Sequence, residues 1–154
     1  MVVYRICKKA YVNDLSGIGA GLYGGRWNPK GINLLYTAGT IALAYVEFLV
    51  HNYHLLSRVN VCLAAIEINS DDSMHEVNDQ DFPDDWNEDP EFIHKTKEMG
   101  KDFAGKKKHY ILKVPSAIVP GEYNYLLNPS HKQHHMTKII HITDPMKYDK
   151  RLLF

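Results

Sequence analysis

Cysteine is nearly missing from this chain: there are two, Cys7 and Cys62, in 154 residues. Neither lies in a CxxC or Cys/His ligand spacing, which excludes a disulfide framework and a zinc-finger pattern. Both are expected to be reduced residues on strands, in a protein of the cytosol. Net charge is missing as well. Eighteen Lys and Arg balance eighteen Asp and Glu, which argues against bulk electrostatic binding to nucleic acid or to a membrane surface. No apolar run approaches the roughly 18 residues that span a bilayer. The longest, Ile41–Val50, is broken by Glu47. Met1–Arg5 leads straight into strand-like sequence, so no signal peptide is expected. No GxGxxG opens a helix, and no GxSxG elbow is present.

What remains is an ordinary globular composition, 45% hydrophobic and 23% charged, enough for one domain over 1–154 with a real core. Strands are expected at Val2–Ile6, Ile32–Thr37, Val59–Ile68, His109–Val114 and Ile139–Thr143. Asn13–Gly25, rich in Gly, Ser and Asp, reads as a loop. Thr40 is a candidate N-cap for a helix from Ile41 to about His54. That helix is apolar around nearly its whole circumference, so it is expected to be central and buried. A second helix is expected over Pro90–Phe103, ended by Gly105. Between Asp71 and Glu91 there are ten acids and no Lys or Arg. This stretch reads as a solvated surface insert, with a lid or partner-binding segment as the alternative. Lys95–Lys108 then holds six lysines, which could partly face the acids. Strand-rich sequence with one or two helices gives an α+β class.

Two features look more like a site than like a fold requirement. Gly24-Gly25-Arg26-Trp27-Asn28 places an arginine in a tight turn, where it can fork onto phosphate oxygens or merely pair with a local acid. Glu47 is the one charge in its apolar helix. An unpaired buried carboxylate is costly, so Glu47 is either paired, with Arg5 or Arg26 as partner, or at work. Tyr36 can pack in the core or stack on a flat ligand ring. Ser116, after Val114-Pro115, lacks the elbow and histidine of a nucleophile and is read as a binding or turn residue. Asn124, Asn128 and His131 can hold backbone turns or a ligand. His131, His134 and His135 do not have the spacing of a helical metal pair with a third ligand, and are expected to be solvated with no metal bound.

Taken in order, these segments resemble the RES domain family, the toxin half of RES–Xre toxin–antitoxin modules. The matching pieces are Tyr4-Arg5, Gly17–Asn28, Gly31, Leu35–Ala38 and Ala42-Leu43-Ala44 leading to Glu47. They continue with Val114-Pro115-Ser116, Val119–Asn124, Leu127-Asn128-Pro129 with His131, and Tyr148–Leu152. The resemblance implies an ADP-ribosyltransferase-like fold, with mixed or antiparallel sheets flanked by a few helices. It implies degradation of NAD⁺ by hydrolysis or phosphorolysis of the nicotinamide–ribose bond. NAD⁺, and phosphate as co-substrate if phosphorolysis applies, would then be consumed, with no resident cofactor. The family's Arg, Tyr, Glu and Ser fall on Arg26, Tyr36, Glu47 and Ser116, with Arg5 as a weaker carry-over and Asn124 as a further binding residue. Arg26 and Glu47 are expected to be catalytic. The implied partner is an Xre-type DNA-binding antitoxin, with a toxin homodimer inside a larger complex. Transfer of ADP-ribose to a macromolecule, or a binding module without catalysis, are the competing readings. The acidic insert and the Lys/His-rich run after Pro129 depart from the family pattern; neither is expected to touch the site.

Overall fold

Seven strands make one sheet in the order β4-β5-β6-β2-β1-β3-β7, in a computed structural model that describes residues 1–53, 60–69, 73–80 and 82–152. The strands are β1 (Val2–Lys8), β2 (Leu35–Ala38), β3 (Val61–Glu67), β4 (Met74–Glu76), β5 (Ile111–Pro115), β6 (Tyr123–Leu127) and β7 (Lys138–Thr143). The helices are α1 (Ile18–Tyr23), α2 (Ile41–Asn52) and α3 (Pro90–Lys106). β1 and β3 pair antiparallel from Val2↔Glu67 to Lys8↔Val61. β4 and β5 run parallel, so the sheet is mixed and the class is α+β.

Alternation along the strands sets two packing faces. Val3, Leu35, Cys62, Ala64, Ile66 and Ile111 share one cluster. The intervening residues turn the other way: Val61 and Leu63 meet Phe48 of α2, and Leu112 and Val114 meet Phe103 of α3. Both long helices therefore cover the same face of the sheet. Asp89 caps α3 by accepting from the Glu91 amide, and Pro90 occupies its first turn, where a missing N–H costs nothing.

Several expectations need correction. The 13–25 stretch is not all loop, because it contains α1. α2 begins at the expected cap, where Thr40 Oγ1 accepts from the Leu43 amide at 3.1 Å. It is not buried all round: Leu43, Ala44 and Phe48 are buried, while Ile41 and Val50 are exposed. Apolar composition overstated its burial, since small domains leave apolar side chains outside. The expected helix end at His54 and strand start at Val59 lie outside the described residues. So do Asp71, Asp72 and Asp81. The rest of the acidic segment is not simply a solvated insert. Met74–Glu76 forms the edge strand β4, and Phe82 and Trp86 pack into the cluster of Trp27, Phe103 and Leu112. The lysines of α3 meet it at its end alone among the described pairs: Lys95 pairs with Glu91, the last acid of the segment, while Lys101 and Lys106 pair with Glu98 and Asp102 of their own helix.

The histidines after Pro129 are not all solvated either. His131 is buried and stacks on the Tyr110 ring at 5.7 Å. His134 Nδ1 meets the Tyr110 hydroxyl at 3.0 Å. Asn128 holds a turn, donating to the Ala104 carbonyl and accepting from the Ser130 amide.

α3 is seated by a glycine. A Cβ at Gly100 would stand 1.6 Å from the Trp27 carbonyl oxygen, so only glycine lets the helix lie against that backbone. Alanine favours a helix interior by about 1 kcal/mol over glycine. Gly100→Ala is nevertheless expected to destabilise the fold by about 1–3 kcal/mol, the usual cost of overpacking. A lower midpoint in urea unfolding checks it; a raised midpoint would contradict the close approach.

Candidate active site

The two helices on one face leave a gap between them, floored by β1, β2 and β6. It is a cavity of about 650 Å³, within the range of small-molecule sites. Tyr4, Tyr36 and Asn124 line it from the sheet, Glu47 and His51 from α2, Arg26 from the glycine turn, and Lys97 from α3. Arg26 and Glu47 thus share one cavity.

Glu47 sits at the end of the second turn of α2. Asn124 Nδ2 donates to Oε1 at 2.6 Å, and Ser116 Oγ donates to the same oxygen at 3.0 Å. Oε2 receives neither; its neighbour is His51 Nε2 at 3.7 Å, one helical turn on. Burial pushes the Glu47 carboxyl upward, but His51, Asn124 and Ser116 together outweigh it and leave the group below its ordinary value. A carboxylate held this way is ionised, with Oε1 anchored by two donors and Oε2 facing His51. The expected pairing with Arg5 or Arg26 is not formed. Neither arginine lies within ion-pair distance of Glu47; His51 holds that place.

Arg26 is built by its turn. Gly24 has φ +75°, and the Gly25 amide donates to the Asn28 carbonyl at 2.9 Å. A Cβ on Gly25 would stand 2.5 Å from the Tyr36 hydroxyl, so Gly25 is a steric demand of what lies beneath it, and Gly24 one of its positive φ. Beneath it is Asn28, fully buried. Its Nδ2 donates to the carbonyls of Ala20, Pro29 and Ile32, and its Oδ1 accepts from Tyr36 at 2.6 Å. Arg26 Nη2 donates to the Asn87 carbonyl at 2.8 Å, and the guanidinium lies 5.6 Å from the centre of the Trp86 ring. Nη1 is buried with no partner among the described residues. Burial lowers the Arg26 value and Glu47 opposes the shift; arginine remains a cation throughout. Thr96 Oγ1 donates to the Arg26 carbonyl at 2.7 Å and so ties the turn to α3. The acidic segment therefore does touch the site, through Trp86 and Asn87, against expectation.

The other expected residues divide. Tyr36 lines the cavity, and its hydroxyl donates to Asn28 and accepts from the Trp27 amide at 3.1 Å. Burial drives that hydroxyl far above its ordinary value, so it is a neutral, engaged group. Ser116 is not among the cavity-lining residues. Its hydroxyl caps a turn by accepting from the Ile118 and Val119 amides and turns its proton to Glu47. It reaches the site through the carboxylate. Arg5 lines the cavity but donates to the Asp14 carbonyl at 2.6 Å. Asn124 both lines the cavity and anchors Glu47. Sequence reasoning missed Asn28, Trp86, Asn87, His51, Thr96 and Lys97. Only His51 carried a local signal, its i,i+4 spacing from Glu47.

Around Glu47 the lining carries three permanent cations, Arg5, Arg26 and Lys97. This arrangement suits an anionic ligand bearing one centre at which positive charge develops. No helix among the described residues is long and apolar enough to cross a membrane.

The chain is similar to known proteins over most of its length. The profile described as the RES domain matches residues 2–149. A protein of Yersinia enterocolitica named Toxin Res is 38% identical over 133 residues, covering 86% of each chain. The Prs ADP-ribosylating toxin of a Sphingobium species is 36% identical over 77% of this chain and 74% of its own. In the crystal structure of the M. tuberculosis MbcT–MbcA toxin–antitoxin complex, a chain superposes with a TM-score of 0.75 at 18% identity. That match covers 93% of this chain and 82% of the other, and it shows a shared fold, the ADP-ribosyltransferase-like α+β architecture.

Proposed function

This chain belongs to the RES domain family, and from that premise we propose that it is the toxin of a toxin–antitoxin pair and acts by degrading NAD⁺. The bond cleaved joins nicotinamide to ribose. Water as acceptor gives nicotinamide, ADP-ribose and a proton; phosphate gives nicotinamide and ADP-ribose 1-phosphate. Nicotinamide leaves as a neutral base, so no general acid is needed. The transition state gathers positive charge on the ribose, and a fixed carboxylate beside it is the strongest available stabiliser. Glu47 Oε2 takes that part, while Asn124 and Ser116 hold Oε1. Arg26 meets the diphosphate, and the Tyr36 ring offers a flat wall to the nicotinamide.

One observation carries the reading: a single anchored carboxylate shares a dinucleotide-sized cavity with a cation held on a rigid turn. Incubation of the purified chain with NAD⁺, with and without phosphate, is expected to release nicotinamide, measured by chromatography. Intact NAD⁺ under both conditions would refute the proposal. The name of the Sphingobium relative favours a second outcome, transfer of ADP-ribose to a macromolecule. NAD⁺ labelled on adenine separates the two: label held on protein or nucleic acid marks transfer, and label in small molecules alone marks degradation. The partner in this reading is a DNA-binding antitoxin of Xre type, bound to a toxin homodimer in the cytoplasm.

A further inference from the structure

Four lysines lie in α3, and three of them have an acid at helical spacing. Lys95 pairs with Glu91, Lys101 with Glu98, and Lys106 with Asp102. Lys97 has Ile93 and Lys101 four residues away and His94 and Gly100 three away. It therefore has no acid to meet along its own helix, and it forms no ion pair among the described residues. It is also the α3 lysine that lines the cavity, beside Ile93.

Its placement is fixed by its neighbours. Thr96 donates to the Arg26 carbonyl, and Gly100 lies against the Trp27 carbonyl. These two contacts lock the rotation of α3 against the turn that carries Arg26. A residue next to Thr96 is turned by about 100° around the axis, which brings Lys97 to the wall of the cavity. Arg26, for its part, keeps one donor, Nη1, without a partner. Two cations from two elements, neither paired to an acid among the described residues, thus line one cavity.

We propose that Lys97 is a second phosphate-binding residue, which joins Arg26 to grip the diphosphate of a dinucleotide and so sets the preference for a diphosphate-bearing ligand. The inference rests on the NAD⁺ reading for its natural ligand, but the cation pair can be tested without turnover. Lysine meets phosphate as a point charge and arginine as a fork. Removing one of the two cations is expected to weaken binding about tenfold, the order expected for one charge-assisted hydrogen bond.

Isothermal titration of the whole chain with ADP, and with adenosine as the phosphate-free control, tests it. Lys97→Ala is expected to bind ADP about tenfold more weakly and adenosine unchanged, with Lys97→Arg restoring most of the loss. Lys95→Ala, which removes an exposed lysine of the same helix, is expected to bind both as the parent does. Equal ADP affinity in Lys97→Ala and parent, equal loss for adenosine, or no ADP binding by the parent would each overturn the clamp. Should Lys97→Ala misfold, Lys97→Gln gives the same readout. A parent that binds ADP yet leaves NAD⁺ intact would sink the catalytic reading while leaving the clamp standing.

Discussion

Glu47→Gln is expected to lower nicotinamide release by about 10³-fold while the protein stays folded. The amide can enter the native hydrogen bonds unchanged. Its oxygen takes the place of Oε1 and accepts from Asn124 and Ser116. Its NH₂ then takes the place of Oε2, near His51. What disappears is the negative charge facing the ribose. Initial rates on NAD⁺, together with an unfolding curve that shows a cooperatively folded variant, check this. A variant that keeps a tenth or more of the activity would refute the role of the carboxylate. A variant that unfolds would instead return Glu47 to the rank of a structural partner. The parent adds a pH test. Because the folded carboxyl sits below its ordinary value, the acid limb of the rate profile is expected below the usual glutamate pKa of about 4.3. The sign for stability follows. Glu47 contributes above the unfolded value, and the contribution is lost as pH falls through the lowered folded one.

Asn28→Ala is expected to cost about 3–4 kcal/mol in urea unfolding. The side chain is wholly buried and satisfies three carbonyls and one tyrosine hydroxyl. Alanine removes one partner from each; the Ala20 and Pro29 carbonyls keep the Gly24 and Ile32 amides, while the Ile32 carbonyl and the Tyr36 proton lose theirs, at a desolvation penalty of about 1–3 kcal/mol each. Relaxation of the turn offsets part of the sum. The same change frees the backbone that aims Arg26, so NAD⁺ cleavage is expected to fall in whatever fraction remains folded. A loss below about 1 kcal/mol would show that the turn is held by other contacts.

The sequence pattern made some of this legible and hid the rest, for physical reasons. Thr40 announced the start of α2 because an N-cap is a local signal, and α3 begins at Pro90, where a helix was expected, although its Asp89 cap was not foreseen. The α+β class followed from runs of β-branched residues such as those in β3. The strands β4 and β6 were missed: Met74–Glu76 is short and polar, and Tyr123–Leu127 lies in a run without clean alternation. They exist because β5 offers partners on both sides. At the site, Glu47 and Arg26 stood out, one as a charge in apolar sequence and one in a tight glycine turn. Asn28 did not, because a buried amide with all its bonds made looks like any loop asparagine when read alone. Ser116 was placed in the right neighbourhood, but its two amide contacts and its bond to Glu47 depend on groups far along the chain. Phe82 and Trp86 were hidden among acids, and average composition masked two rings that face inward.

Asn87 connects the two halves of this site. Its carbonyl holds Arg26, and its side chain donates to the Ala117 carbonyl, next to the serine that steadies Glu47. The arginine bond uses main chain, so it depends on where residue 87 falls rather than on which side chain it bears. Chain length between Phe82 and Asp89 is accordingly a stricter constraint than its spelling. Inserting or deleting a single residue there would move the base away from the acid, even if every acidic letter were kept.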